Sequence, residues 1–181
     1  MTVTFTPLDV RGADRAALVE LLTTNTFPFH MVPRPARADV ERAIDGGRYD
    51  DEDHAASWVE VEDHGRVGVV VLEDLSDDAP LFDLRFAERW RGKGLAAPVV
   101  RALTAHVFET YPEVDRFEGQ TREDNVAMRR TFRRCGFVKE AHYRDGWPVD
   151  GGAPVASVAY AVLRRDWASG TTTPVPWDDE P

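Results

Sequence analysis

A run of cations and glycines lies between an apolar segment and a long amphipathic one, and its residue types are those of an anion site. The run reads Arg89-Trp90-Arg91-Gly92-Lys93-Gly94-Leu95-Ala96. Its two glycines leave the backbone N–H groups unobstructed, and a helix that begins here adds the positive end of its dipole. Arginine and lysine at a helix start are unfavourable unless an anion lies nearby. The segment therefore predicts a binding site for phosphate or pyrophosphate.

Two other phosphate-binding motifs compete for the same loop. The dinucleotide fingerprint G-x-G-x-x-A fits from Gly92 to Ala97, and Asp115 lies near the distance expected for a ribose-binding acid. That fingerprint belongs after the first strand of a parallel βαβ unit, whereas this loop follows an antiparallel hairpin and a third strand. A P-loop is excluded because both its glycine spacing and its hydroxyl residue are missing. An NAD(P)-dependent oxidoreductase stays an alternative that the strand order disfavours.

The elements that position the loop follow from the hydrophobic periodicity. The pattern predicts strands at 3–5, 58–62, 66–72, 81–86, 116–121, from 137 and at 155–163, and helices at 13–22, 36–44, 95–111 and 125–135. Their order is β-α-α-β-β-β-α-β-α-β-β. We expect one domain over residues 1–167, followed by a polar tail over residues 168–181. The loop after the first helix, residues 24–35, is rich in proline and large apolar side chains, which indicates that it covers another part of the molecule.

Composition limits the classes of partner. The chain has 181 residues, 43% of them hydrophobic, enough for one domain with a core. Asp and Glu outnumber Lys and Arg by 32 to 22, which argues against nucleic acid or an anionic membrane as a partner. Without a secretion signal or a membrane-spanning apolar stretch, we expect a cytoplasmic protein. The one cysteine, Cys135, lies in a helical pattern and is assigned no chemistry, and no His/Cys cluster has metal-ligand spacing.

Two segments resemble the GNAT superfamily of N-acetyltransferases. Residues 86–96 are similar to its strand-to-helix signature of Arg or Gln, two residues, Gly, one residue, then Gly or Ala, which Arg91, Gly94 and Ala96 match. Residues 125–137 resemble the family's Asn-to-Gly-Phe segment, at the proper distance downstream. The C-terminal half looks closest to the Rim-like branch, which acetylates ribosomal-protein N-termini and various small amines.

The resemblance implies an α/β (α+β) fold. A single domain would hold a mixed, mostly antiparallel sheet of six or seven strands, splayed between strands four and five, with about four helices. It also implies direct transfer of acetyl from acetyl-CoA, without a metal, to a primary amine on a small molecule or a protein N-terminus, and it allows a homodimer.

The resemblance also carries over a set of residues for the donor. The residues implied for acetyl-CoA are Leu84, Arg85, Phe86, Arg91, Gly92, Lys93, Gly94, Leu95, Ala96 and Asn125. A backbone N–H near Phe86 would stabilise the oxyanion formed when the amine attacks. For Asn125 the alternative role is the N-cap of the following helix, and one side chain could do either.

The acid–base groups depart from the family pattern. Phe132 stands where many members have the tyrosine that protonates the thiolate, and Gln120 stands where some have a basic glutamate. The remaining candidates for the base are Asp83 and Glu118, and Tyr143 is a candidate acid. For each carboxylate the alternative is a solvated residue or the partner of an arginine. A non-catalytic acyl-CoA-binding module is therefore a second alternative.

The acceptor site is expected beside the loop between the first two helices, as in the family. Phe27, Phe29 and His30 would wall this site, with Trp147 opposite. The alternative is that these side chains form a small core over the sheet.

Overall fold

The computed structural model describes residues 1–177 and arranges them as two antiparallel sheets with helices on both faces. The strands are β1 (Val3–Pro7), β2 (Ala55–Val61), β3 (Gly65–Glu73), β4 (Leu81–Phe86), β5 (Arg116–Arg122), β6 (Val138–Trp147) and β7 (Val155–Leu163). The helices are α1 (Arg15–Thr24), α2 (Arg37–Asp45), α3 (Ala96–Thr110), α4 (Val126–Arg134) and α5 (Arg164–Ser169), with a 3₁₀ turn at Glu88–Trp90. The predicted order of strands and helices is confirmed, and α5 is an addition to it.

The two sheets meet at one point and then separate. One sheet has the order β1-β2-β3-β4 and the other has the order β5-β7-β6. Near the start of β4 the Glu118 N–H donates to the Pro80 carbonyl, at 2.9 Å. Within residues 1–177 no ladder pairs β4 with β5, so the side of β4 that faces away from β3 is left without a partner strand. This is the splay that the family resemblance implies.

Two hydrophobic cores hold the sheets between helix layers. Strand β3 is buried on both faces, and it contributes side chains to both cores. Val70 belongs to the core under α3 and α4, whereas Val69 belongs to the core under α1 and α2. Trp58 anchors the second core, and its indole N–H donates to Asp14, at 2.8 Å. The loop after α1 therefore packs on the α1 and α2 face of the first sheet, and the loop before α3 follows the end of β4.

The helix ends agree with the local sequence. Helix α3 begins two residues after Gly94, and Pro98 lies in its first turn, where a missing N–H has no cost. Helix α4 ends before Gly136, which has a φ of 86°. Helix α5 extends past residue 167, where the domain was expected to end and the polar tail to begin. The buried Asp166 accepts hydrogen bonds from the backbone N–H and the hydroxyl of Thr173, at 2.7 and 2.8 Å. The last four residues of the expected tail, 178–181, lie outside the described residues.

Two features are missing from residues 1–177. No helix in this range has both the length and the apolar character needed to cross a membrane. The same range holds no group of three or more His, Cys, Asp or Glu side chains arranged to bind a metal ion. Cys135 is half-buried, and burial raises the pKa of its thiol, so no activated thiolate is indicated there.

Candidate active site

A cavity of about 540 Å³ opens beside the free edge of β4. We call it the main cavity. The residues expected from the sequence that line it are Phe27, Phe29, His30, Leu84, Arg85, Phe86, Arg91, Gly92, Gly94, Leu95, Ala96 and Asn125. Lys93, Asp83, Glu118, Tyr143 and Trp147 are not among the lining residues. The fold thus gathers most of the expected donor residues and three of the expected acceptor residues around one space.

The glycine loop offers backbone donors to this cavity. Gly92 and Gly94 have φ angles of 70° and 80°, and a Cβ added to either would meet no atom within 4 Å. The N–H groups of residues 92–95 donate to no backbone carbonyl of residues 1–177. Helix α3 begins directly after them and adds the positive end of its dipole. These free donors and the open space beside them fit a pyrophosphate.

Two cations that were not identified from the sequence also line the main cavity. Arg130 and Arg134 are four positions apart on α4 and both line the cavity. Neither side chain forms an ion pair within the part of the chain that the structure describes. Their spacing on the helix that follows Asn125 was the available signal. Their guanidinium groups are suited to phosphate.

Arg91 and Lys93, the two cations expected to contact phosphate, make other contacts in the structure. The Arg91 Nε donates to the Phe86 carbonyl, at 3.0 Å, and the guanidinium lies 5.1 Å from the Phe27 ring centroid. The Lys93 ammonium lies 4.7 Å from the Trp90 ring centroid. Arg91 therefore connects the glycine loop to the end of β4. Direct contact of Arg91 or Lys93 with phosphate stays a prediction without a supporting contact.

Asn125 has the helix-capping role that was one of its two expected functions. Its side-chain oxygen accepts from the Met128 N–H at 3.2 Å, at the start of α4. Its side-chain nitrogen donates to the Thr121 hydroxyl at 2.9 Å. The residue also lines the main cavity. A contact with the pantetheine arm of acetyl-CoA stays a prediction, because both polar atoms already have protein partners.

The free edge of β4 forms the middle of the cavity wall. In register, Leu84 pairs with Val70 and Phe86 pairs with Gly68 on β3. The backbone groups on the other side of residues 84–86 have no partner strand in the described chain. Such an edge can accept an extended ligand as an additional strand. The pantetheine arm of acetyl-CoA has amide groups that suit this mode.

Asp83 lies next to His30, outside the lining of the main cavity, in a network of charges. Its Oδ1 is 2.9 Å from the His30 Nε2, and its Oδ2 accepts from the Arg85 Nη2 at 2.7 Å. Burial alone would raise the pKa of the Asp83 carboxyl, but Arg85 and then His30 outweigh burial and hold that pKa well below its ordinary value. A carboxylate that resists protonation is a poor general base. The base role expected for Asp83 stays a prediction that these contacts do not support, and the carboxylate lies against the His30 ring instead.

The other expected catalytic residues lie away from the main cavity. The Glu118 carboxylate accepts from the Arg116 Nε at 2.6 Å, and Arg116 also pairs with Glu140. Tyr143 is on β6 with 53% of its surface exposed. Trp147, expected opposite the acceptor loop, ends the same strand and does not line the cavity. Roles for these residues stay predictions that no contact in the structure supports.

The residue at the family's tyrosine position is fully enclosed. Phe132 is 1% exposed and stacks on Tyr160 with 4.9 Å between the ring centroids. Gly119 faces it, and a Cβ on Gly119 would lie 2.4 Å from the Phe132 ring. The Tyr160 hydroxyl accepts from the Arg129 Nε at 3.3 Å. Phe132 thus packs between α4 and the second sheet.

Comparison with known proteins gives the family. The family model described as "Acetyltransferase (GNAT) domain" matches residues 3–138. The structure of a Vibrio cholerae spermidine N-acetyltransferase in complex with CoA and spermine is 19% identical, with a TM-score of 0.77 over 92% of this chain and 98% of that one. A chimera of the Vibrio cholerae enzyme SpeG with hSSAT is 17% identical, with a TM-score of 0.78 over 93% and 99% of the two chains. A probable acetyltransferase is 24% identical, with a TM-score of 0.73 over 91% and 94%.

The structural likenesses show the fold and confirm the expected arrangement of a single domain, with seven strands in antiparallel sheets. All strand ladders in residues 1–177 are antiparallel, so the glycine loop does not lie in the parallel unit that a dinucleotide fingerprint requires. The comparisons do not single out the Rim-like branch, which stays a prediction. Because the family model spans most of the chain, the protein belongs to the GNAT family and is an N-acetyltransferase.

Proposed function

We propose that this acetyltransferase transfers acetyl from acetyl-CoA to a primary amine carried by a small molecule or by a protein N-terminus. The observation that supports this most is the main cavity, which joins three kinds of wall. Free backbone donors form one end, an unpaired strand edge forms the middle, and His30 with aromatic neighbours forms the other end. A homodimer remains a prediction.

The donor end fits acetyl-CoA, which supplies an activated acetyl group on a thioester. The N–H groups of residues 92–95 would hold the pyrophosphate, and Arg130 and Arg134 would add positive charge beside the nucleotide. The edge of β4 at residues 84–86 would bind the pantetheine arm. The same edge leaves backbone N–H groups beside the position of the thioester, where they can stabilise developing negative charge on its oxygen.

The acceptor end favours an amine attached to an apolar group. Phe29, Pro28 and His30 contribute to its wall, and no carboxylate is among the lining residues of the described chain. Arg85 and Arg91 add positive charge to the cavity instead. A polyamine carries several positive charges, which this wall would not neutralise. An α-amine suits it better, because its ordinary pKa of about 7.7–8.0 leaves more neutral nucleophile than that of a lysine side chain.

A binding measurement tests the donor. Acetyl-CoA and NADPH are compared by thermal unfolding at the same concentration, since a ligand present at about 100 times its dissociation constant adds about 2.7 kcal/mol. We expect stabilisation by acetyl-CoA. Stabilisation by NADPH alone would contradict the proposal.

A kinetic measurement tests the acceptor. Release of the CoA thiol is followed with an arylalkyl monoamine, a peptide with a free apolar N-terminal residue, and spermidine. We expect faster release with the first two than with spermidine, because the cavity wall carries arginines and no carboxylate. Spermidine as the fastest substrate would contradict the acceptor preference while leaving the acetyltransferase activity in place.

A further inference from the structure

We infer that His30 is the general base of the acetyl transfer and that Asp83 is the positioning residue that fixes its ring. This inference rests on the proposed function. The observations that carry it are the His30–Asp83 contact, the position of the His30 ring in the wall of the main cavity, and a second ring nitrogen that has no partner.

The contact with Asp83 decides which ring nitrogen carries the proton in neutral His30. The Asp83 carboxylate can only accept hydrogen bonds, because Arg85 donates to it from both Nε and Nη2, at 3.0 and 2.7 Å on Oδ2. The His30 Nε2 at 2.9 Å must therefore be the protonated nitrogen. That tautomer leaves a lone pair on Nδ1. The arrangement is the carboxylate-oriented imidazole that general-base catalysis uses in other enzymes.

The His30 Nδ1 has no hydrogen-bond partner in the described chain, although it is buried. The ring keeps 26% of its side-chain surface exposed and borders the main cavity. A turn holds it there, since the His30 N–H donates to the Phe27 carbonyl at 3.0 Å and the two rings lie edge to face. A buried acceptor without a partner costs about 1–3 kcal/mol. A hydrogen bond donated by an N–H of the bound amine, or by the O–H of a water beside it, would remove that cost.

Charged groups from β3, β4 and the segment after α2 lie around this pair. The ionisable groups near the pair, apart from His30 itself, are Asp83 and Arg85 on β4, Glu73 on β3, and Arg48 and Tyr49 after α2. Arg48 pairs with Glu73 at 2.6 Å and lies 4.0 Å from Asp83. The carboxylates and guanidinium groups among them balance in number. No further base is supplied to the cavity by this network, because each carboxylate is held by an arginine.

The chemical step balances with His30 as proton acceptor. The neutral amine attacks the thioester carbonyl carbon, a C–N bond forms, and the C–S bond breaks with its electron pair leaving on sulfur. One proton of the amine nitrogen passes to the His30 Nδ1. The resulting imidazolium keeps its Nε2–H on Asp83, which stabilises the positive charge. The proton then leaves to solvent or to the thiolate, and the amide product is neutral.

The decisive variant is His30→Ala. We expect kcat/KM to fall about 10²–10⁴-fold at neutral pH, with the dissociation constant of acetyl-CoA unchanged within about twofold. The acid limb of the pH–rate profile, which reports protonation of the base, should disappear. Turnover should recover at high pH, where hydroxide can accept the proton of the amine nitrogen in place of His30, and on addition of imidazole. A merely structural residue would give neither the altered profile nor the rescue.

His54→Ala is the matched control. His54 also pairs with an aspartate, Asp51 at 2.6 Å, but it does not line the main cavity. We expect its turnover and pH profile to match the wild type. Asp83→Asn should lower turnover less than His30→Ala and should change the pH profile, because the ring loses the carboxylate that selects its tautomer.

A ¹⁵N NMR measurement of the His30 ring in the wild-type protein gives a readout that does not depend on turnover. We expect the neutral ring to carry its proton on Nε2, and a neutral ring protonated on Nδ1 would overturn the inference. So would a His30→Ala variant that keeps wild-type turnover and pH profile. Failure of the wild type to release thiol with any amine would instead reject the proposed function, and the base with it.

Discussion

The two ends of the main cavity offer a ligand different kinds of atoms. At the glycine loop the donors are backbone N–H groups of consecutive residues, 92–95. At the acceptor end the polar groups are side chains from two distant segments, with His30 and Asp83 separated by 53 positions. Backbone donors tolerate most changes of side chain unless a Cβ enters the space beside them. A side-chain network fails when any one of its partners is removed.

This difference indicates how the two ends should respond to mutation. Substitutions in the glycine loop should weaken donor binding while the rest of the fold persists, because the loop is open and few other residues depend on it. Substitutions in the network of Asp83 and Arg85 should affect stability and proton transfer more than donor affinity, because the network lies under the wall and its charges are largely buried.

Gly94→Val should have the largest effect on the donor end. A branched side chain at φ 80° would occupy the space through which phosphate reaches the backbone, and acetyl-CoA affinity should fall about 100-fold or more. The strained backbone should cost about 1–3 kcal/mol of folding stability. Isothermal titration calorimetry on the folded variant measures the loss. Gly151→Val carries similar strain at φ 67°, far from the loop in sequence, and should keep wild-type affinity. Equal affinity losses in the two variants would contradict the proposed role.

Asp83→Asn should have the largest effect on stability at the acceptor end. Arg85 and His30 would lose a charged partner, so the free energy of unfolding should fall by about 2 kcal/mol, while acetyl-CoA affinity should stay within about threefold. Urea denaturation measures the change. Asp45→Asn removes an exposed partner of Arg15 and should cost about 0.5 kcal/mol or less.

The same variant gives a pH prediction. Burial raises the folded-state pKa of Asp83, but Arg85 and His30 lower it by more, so the pKa is lower than in the unfolded chain. The charged Asp83 therefore stabilises the fold above its ordinary pKa of about 3.9. This stabilisation is lost as the pH falls below that value toward the folded-state pKa. The stability difference between wild type and Asp83→Asn should therefore narrow as the pH is lowered from about 4. A difference that stays constant down to pH 3 would contradict the charge assignment.

Replacing both Arg130 and Arg134 by alanine should have a moderate effect. Acetyl-CoA should bind about five- to tenfold more weakly, and the loss should shrink at high salt, because the expected contact is charge against phosphate. Acetyl-pantetheine, which lacks the nucleotide, should bind the variant as it binds the wild type. Arg133→Ala, on the same helix but outside the cavity lining, is the control and should change neither affinity.

Arg91→Ala should have the smallest effect and should reveal which role this side chain has. Its contacts are with the Phe86 carbonyl and the Phe27 ring, so we expect about threefold weaker binding of both acetyl-CoA and acetyl-pantetheine. A salt-sensitive loss confined to acetyl-CoA would instead support the phosphate contact expected from the sequence.

Much of the fold could be predicted from the sequence because its signals are local. Strands β4 and β7 begin and end where their apolar patterns do, and α3 starts just after the glycines that precede it. Helix α5 was not predicted because a segment of six residues is too short to show a helical periodicity. Arg130 and Arg134 were readable in principle, since two cations four positions apart share one side of a helix.

The family and the open glycine loop before α3 could be predicted from the sequence alone, because the groups concerned belong to consecutive residues whose backbone conformation depends on glycine and a helix start. The tertiary structure alone decided which side chains share the cavity. It turned Arg91 back onto the Phe86 carbonyl, left Glu118 with Arg116, and brought His30 against Asp83. Such contacts depend on how the loop after α1 packs across β4, and packing between distant segments has no signature in either segment by itself.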